Sequence, residues 1–197
     1  MPSKLCVVLA VATLALLGPA LGADMSDSGL FSPERLKFSH QYELRGGVFA
    51  HGIGSVERDT ADVNAELVFP RLPFGTDEWW TIFVPRPHVG GFLSTDNRTS
   101  IAYGGALWTY AITDRLFTEL FFGGAVHDGL PDGSPTRAAL GCNVGFNFGS
   151  TAGYRIDRSW SLMVTYDHMS NGNSSVGTNC SHNKGINNVG VKLGYSF

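Results

Sequence analysis

The 197-residue chain has a formal net charge of -3 at pH 7 and a sequence pI near 6.0, so its charge gives no basis for binding nucleic acid. Only 16% of the residues are charged, whereas 12% are aromatic and 25 are glycine. This composition disfavours a water-soluble helical domain and favours many strands in an apolar setting, with one sizeable core.

The N-terminus has the three parts of a secretory signal peptide. Lys4 precedes the apolar run LCVVLAVATLALLGPALGA, which ends in the small residues Ala20, Gly22 and Ala23. The apolar core of this run is short for a transmembrane helix, which needs about 20 residues. We therefore expect a signal peptide over residues 1–23, export, and a mature domain over residues 24–197.

Polar and apolar residues alternate repeatedly along the mature chain, which indicates strands with two different faces. In one example Leu140, Cys142, Val144, Phe146 and Phe148 alternate with glycine and asparagine. The pattern predicts eight strands, at residues 39–51, 60–70, 83–95, 99–113, 115–127, 138–155, 159–171 and 187–197.

The connections between these strands alternate in length. Tight turns fit around residues 113–114 and 156–158, whereas most of the other links are longer and polar. One face of each strand is apolar and the other carries glycine, asparagine or charge, as expected for a barrel with lipid outside and a polar lumen. We predict an all-β fold, an eight-stranded antiparallel up-and-down transmembrane β-barrel in the bacterial outer membrane.

Several charged residues fall on the predicted lumenal face of the strands. They are Glu43, Arg45, Asp62, Glu66 and Lys192. A barrel of eight strands has an interior just wide enough for side chains to fill. We therefore expect these residues to form a polar network that fills the barrel.

A histidine and a serine occur two residues apart in the segment YDHMSNGN. On a strand, His168 and Ser170 lie side by side on one face, here the lipid face, and Asn187 of the last strand falls near the same outer rim. His168 could act as general base and Ser170 as nucleophile on a lipid ester. The alternative is that these groups only make hydrogen bonds at the headgroup level.

The segments HMSNGN and NKGIN on the last two strands resemble the lipid A 3-O-deacylase (PagL-like) family. These proteins carry a His-x-Ser-Asn motif and a later Asn-x-Gly-Ile-Glu-like segment. The stretches ELRGGVFAHG and VNAELVFPR are similar to the family's first two strands, so the resemblance covers most of the mature chain.

The resemblance implies a role for each residue of the motif. His168 is the base, Ser170 is the nucleophile, and Asn171 supports the oxyanion, with a backbone amide near Asn173 as second donor. The family has glutamate as the third member of the triad, whereas this chain has Asn187. An asparagine oxygen can still orient the histidine, but it supplies no charge to stabilise the imidazolium.

The resemblance implies a serine hydrolase that acts on lipid A of lipopolysaccharide, surrounded by outer-membrane lipid, without a metal or other cofactor. The alternative is a small structural or adhesive barrel with a degenerate site. The sequence does not decide which acyl chain would be cut, nor between a monomer and a homodimer.

Removal of the signal peptide leaves Cys142 and Cys180 as the only cysteines. The first lies near the outer end of the sixth predicted strand, and the second lies in the loop after the neighbouring seventh strand. In an oxidising compartment we expect a disulfide between them, and the alternative is two free thiols.

Overall fold

The computed structural model describes residues 41–73, 83–172, 180 and 182–197. In this part the chain forms eight strands: β1 Glu43–His51, β2 Thr60–Val68, β3 Arg86–Ser94, β4 Ile101–Ala111, β5 Leu116–His127, β6 Val144–Arg155, β7 Trp160–Ser170 and β8 Ile186–Ser196. All neighbours pair antiparallel, and β1 also pairs with β8, so the sheet closes into a barrel. The predicted barrel of eight antiparallel strands is confirmed. The predicted signal peptide lies outside the described residues.

The connections define two ends of the barrel. The loop end carries the links at residues 52–59, 95–100, 128–143 and 171–185, whereas the turn end carries those at residues 69–85, 112–115 and 156–159. Two of the links at the turn end are tight, as the sequence predicted. Among the described residues no helix is long and apolar enough to cross a membrane.

The outer wall of the barrel is apolar, because the strands point alternate side chains inward and outward. Exposed positions along the strands include Leu44, Val48, Val63, Leu93, Leu120, Phe122, Val126, Phe148, Leu162, Val164, Val191 and Leu193. A water-soluble barrel would bury such residues in its interior. This wall therefore suits the hydrocarbon of a bilayer.

The interior is filled by ion pairs. Arg45 Nη1 lies 2.7 Å from Glu119 Oε2, Arg45 Nη2 lies 2.8 Å from Glu43 Oε2, and Lys192 Nζ lies 2.9 Å from Glu66 Oε2. All five side chains are buried. These contacts confirm the predicted lumenal network, and each of the five charges has a partner of opposite sign, as burial requires.

Aromatic side chains fill the rest of the interior beside β6. Phe117 and Phe121 of β5 point inward, and β6 presents glycines to them at Gly149 and Gly153. A β-carbon at Gly153 would collide with the ring of Phe117, and one at Gly149 would collide with that of Phe121. The glycines on the polar face of β6 thus make room for the large residues of the neighbouring strand.

The start of the sixth strand was predicted wrongly. The strand begins at Val144, not at residue 138, because Gly141 has a φ of 74° and turns the chain inward. Leu140 was expected on the outer face, but it is only 2% exposed and packs in the core beside Met169 and Ile186. The residues before β6 therefore close the loop end of the barrel.

Candidate active site

His168 and Ser170 lie where β7 reaches the loop end. They occupy the same face of the strand as Leu162 and Val164, which are exposed, whereas the intervening Met163 is buried in the interior. A strand places residues i and i+2 on one face. The alternation of β7 thus puts the two candidate residues side by side, away from the lumen.

Asn187 lies opposite His168 on the neighbouring strand. The two residues are paired in the register of β7 and β8, and Asn187 Oδ1 lies 2.7 Å from His168 Nδ1. An amide oxygen only accepts hydrogen bonds, so Nδ1 carries the proton and donates it to Asn187. The other ring nitrogen, Nε2, then has its lone pair free, which is the state of a general base.

Two neighbours fix the orientation of the Asn187 amide. Its Nδ2 donates to the backbone oxygen of Ile53 at 3.3 Å, and the hydroxyl of Tyr166 donates to its Oδ1 at 2.8 Å. A carbonyl oxygen can only accept, so the amide nitrogen must face Ile53 and the oxygen must face His168. The backbone nitrogen of Ile53 also donates to the backbone oxygen of Asn187 at 2.8 Å, which joins the loop after β1 to β8.

The imidazole of His168 has two close neighbours. The ring of Phe148 on β6 lies 4.8 Å away, centroid to centroid. The backbone of Gly185, whose φ is 58°, also lies close to the ring: a β-carbon there would lie 3.0 Å from His168 Cε1 and 3.5 Å from Nε2. Glycine thus satisfies the backbone conformation and leaves Nε2 accessible.

Ser170 is half-buried and pairs with Phe146 across the strands. Within the described part of the chain, no hydrogen bond joins its hydroxyl to His168. Hydrogen bonds between a nucleophile and its base are often looser in the absence of substrate. What the structure brings together is a histidine and an amide that orients it, with a serine beside them on the same face of the sheet.

Asn171 holds the loops beside the site. Its side-chain nitrogen donates to the backbone oxygens of Leu140 at 2.7 Å and His182 at 2.6 Å, and the residue is 2% exposed. Both hydrogens of this amide are engaged, so an oxyanion role would require one of these bonds to open. Asn173, the other expected donor, lies outside the described residues.

A disulfide joins Cys142 to Cys180, with their Cα atoms 5.1 Å apart. It connects the loop before β6 to the segment before β8. The backbone nitrogen of Lys184 also donates to the oxygen of Ala139 at 3.1 Å, so the same two segments are joined at a second point. Gly185, which contacts His168, follows directly on this joined segment.

Glu57 connects three of the loops and is fully buried. Its carboxylate accepts from the backbone nitrogens of Thr99 and Ala138, each at 2.8 Å, and lies 3.1 Å from His51 Nε2. Burial alone would raise the pKa of this carboxyl group, but the hydrogen bonds from His51, Ala138 and Thr99 outweigh burial and lower the pKa to about 2. Glu57 is therefore a charged anchor for the loop end.

Sequence reasoning missed Tyr166, Ile53, Gly185 and Glu57. Tyr166 could have been found, because it lies two residues before His168 and shares its strand face. Gly185 lies inside the segment NKGIN, which was already singled out. The sequence offers no comparable signal for Ile53 or Glu57, which act from an irregular loop.

A model of the family described as lipid A 3-O-deacylase (PagL) matches residues 69–196, well over half of the chain. The matched segment contains all of the candidate residues on β7 and β8. None of the curated protein sequences compared with the chain matches it.

Three solved structures show the same architecture. The crystal structure of the outer membrane enzyme PagL is 18% identical with a TM-score of 0.54, and 77% of this chain and 97% of that chain are covered. The N-terminal β-barrel domain of OprF from Pseudomonas aeruginosa is 12% identical with a TM-score of 0.52, and 80% and 98% are covered. A de novo designed transmembrane β-barrel is 14% identical with a TM-score of 0.51, and 80% and 96% are covered. At these identities the likeness shows the fold.

Proposed function

The chain belongs to the lipid A 3-O-deacylase (PagL) family, and we propose that it is an outer-membrane serine esterase that hydrolyses the ester-linked 3-O hydroxyacyl chain of lipid A. The observation that supports this proposal best is the contact between His168 and Asn187, beside Ser170 on one strand face. The three side chains are of the types that serve as nucleophile, base and orienting group in a catalytic triad.

The proposed reaction has two halves. In the first, His168 Nε2 takes the proton of Ser170 while the serine oxygen attacks the ester carbonyl. The tetrahedral intermediate collapses, His168 returns the proton to the departing sugar oxygen, and an acyl-serine remains. In the second half, His168 takes a proton from water while the water oxygen attacks the acyl-serine. The second tetrahedral intermediate collapses, His168 returns this proton to the serine oxygen, and the hydroxy fatty acid leaves with Ser170 regenerated.

Asn187 is a positioning residue in this proposal. Its oxygen keeps the proton of His168 on Nδ1, and Ile53 and Tyr166 prevent the amide from presenting its nitrogen instead. In serine proteases, replacing the acidic partner of the histidine by an amide costs about 10⁴ in rate, in part because the wrong tautomer forms. The fixed amide removes that part of the cost, and only the missing charge remains.

The position of the site along the barrel suits a lipid substrate. At about 3.3 Å per residue and a strand tilt of ~40°, Asn187 lies roughly 25 Å from the turn end of β8. In an outer-membrane barrel with short turns in the periplasm, this height is in the outer leaflet. A site on the outer wall at this level would meet the ester bonds of lipid A.

The test is Ser170→Ala, expressed in a host whose lipid A is then examined by mass spectrometry. The unaltered protein should remove one hydroxyacyl chain, and Ser170→Ala should remove none. Ser150→Ala is a matched control, because Ser150 is an exposed serine on the outer face of the neighbouring β6. An unchanged lipid A profile with well-folded, unaltered protein would favour a structural or adhesive barrel and refute the enzyme.

A further inference from the structure

An open cavity of about 610 Å³ lies at the loop end, directly beside the candidate site. Its walls come from the loop after β1, the loop before β6 and the segment before β8. Ligand pockets in proteins have volumes of about 300–1,000 Å³, so this one could hold a sugar with its substituents. None of the roles proposed above uses it.

The cavity walls carry more positive than negative charge. Arg58, Arg137 and Lys184 line it, together with the single carboxylate of Asp132. Arg137 is engaged with Asp128 at 3.0 Å, whereas Arg58 is 70% exposed and its Nε lies 3.6 Å from the carboxylate of the next residue, which is 89% exposed. Lys184 has no ion-pair partner among the described residues. Arg58 and Lys184 are therefore available to an anion.

The walls are held in place before any ligand binds. Glu57 joins the first loop to Ala138, which lines the cavity, and the backbone of Lys184 is bonded to Ala139, another lining residue. The loops around the cavity therefore lose little conformational entropy when a ligand binds, because they are already ordered.

The cavity is continuous with the candidate site through one residue. Asn187 lines the cavity and also accepts the hydrogen bond of His168. A ligand seated in the cavity would therefore have an adjoining part next to His168 and Ser170. A molecule that occupies both the cavity and the candidate site needs an anionic headgroup of the size of a sugar, with an ester attached close to it.

We propose that this basic cavity binds the phosphate-bearing sugar headgroup of the lipid substrate and so places its ester at Ser170. The assignment rests on the proposed function for the identity of the lipid, but binding to the cavity does not require catalysis. Arg58 and Lys184 supply the charge, and the fixed loops supply the shape.

Binding is measured on the full-length Ser170→Ala protein in detergent micelles, with lipid A and with the same lipid A after enzymatic removal of its phosphates. We expect lipid A to bind about tenfold more tightly than the dephosphorylated lipid, as two exposed contacts between cations and phosphate would give. Inorganic phosphate should compete only at millimolar concentration. Equal affinity for the two lipids, or tight binding of inorganic phosphate without preference for the lipid, would overturn the proposal.

The double substitution of Arg58→Gln and Lys184→Gln identifies the site. In the Ser170→Ala background it should weaken binding of lipid A about tenfold and leave binding of the dephosphorylated lipid within about twofold. Arg158→Gln, at an exposed arginine of the turn end, is the matched control and should change neither. A double variant that binds lipid A unchanged would place the phosphate elsewhere. If the unaltered protein binds lipid A but does not hydrolyse it, the esterase is refuted and the cavity assignment stands.

Discussion

Replacing Asn187 by aspartate tests the role of the amide directly. The two side chains have nearly the same size, so the new carboxylate oxygen would remain about 2.7 Å from His168 Nδ1. The change adds a negative charge next to the imidazolium that would form in the transition state of the proposed reaction. It also removes the donor to the Ile53 oxygen, which is a long hydrogen bond of 3.3 Å.

Coulomb's law gives the size of the effect. Two unit charges about 4 Å apart attract by about 1 kcal/mol in water and by about 4 kcal/mol at the effective dielectric constant near a protein surface. His168 is half-buried and packs on Phe148, so its surroundings lie between these limits. We therefore expect Asn187→Asp to raise kcat by a factor between about 5 and about 1,000.

The assay is the release of hydroxyacyl chains from lipid A in detergent micelles, followed by mass spectrometry over a range of pH. The acid limb of the pH–rate profile should move to higher pH, because the added charge favours a protonated imidazole. Asn183→Asp is the control. Asn183 is exposed and lies just before β8, the strand that contains Asn187. Its side-chain oxygen accepts a hydrogen bond from the backbone nitrogen of Asn171, as a carboxylate also would.

A folded Asn187→Asp protein with unchanged or lower kcat and an unshifted pH profile would refute the triad assignment. A gain of the same size in Asn183→Asp would also refute it, because the effect would then come from negative charge anywhere near the rim. Heat-modifiable mobility on gels checks that each variant has formed its barrel.

Two further predictions concern the loop end. The pKa of Glu57 in the folded protein, about 2, lies below the ordinary value of 4.5, so its stabilising effect is complete above about pH 4.5 and is lost as the pH falls towards 2. Glu57→Gln should therefore lower the free energy of unfolding at pH 7 by about 1–3 kcal/mol, as measured by denaturant titration. The free energy of unfolding of the variant should also fall less as the pH is lowered, and a variant as sensitive to acid as the unaltered protein would contradict the role of Glu57. Non-reducing peptide mapping should recover the peptides of Cys142 and Cys180 linked, and reduction should slow deacylation while the barrel stays intact; free thiols at both positions would remove the bridge.

The period-two pattern was sufficient to predict the strands, because a closed barrel forces every strand to present one face to the outside and one to the lumen. The pattern failed at Leu140 and Cys142, where the alternation continues but the strand does not. A glycine in a left-handed conformation interrupts the chain at Gly141. Nothing in the alternation itself reveals such a turn.

The candidate site was only partly accessible from the sequence. The alternation of side chains along a strand placed His168 and Ser170 on the same face, because it depends only on the spacing of the two residues in the sequence. The contact between His168 and Asn187 depends on the register of β7 against β8, and the long loop between them does not set that register. Glu57 reaches its partners from an irregular loop, where no period applies.

The outward orientation of Ser170 determines how the proposed enzyme would find its substrate. A nucleophile on the outer wall of a barrel has no access channel, so each lipid must arrive by lateral diffusion within the plane of the membrane. The encounter is then two-dimensional, and the relevant concentration is the mole fraction of substrate in the surface and not its amount per litre. Dilution of lipid A with inert phospholipid at constant total substrate would slow such an enzyme, whereas dilution of the whole suspension with buffer would leave its rate per molecule unchanged.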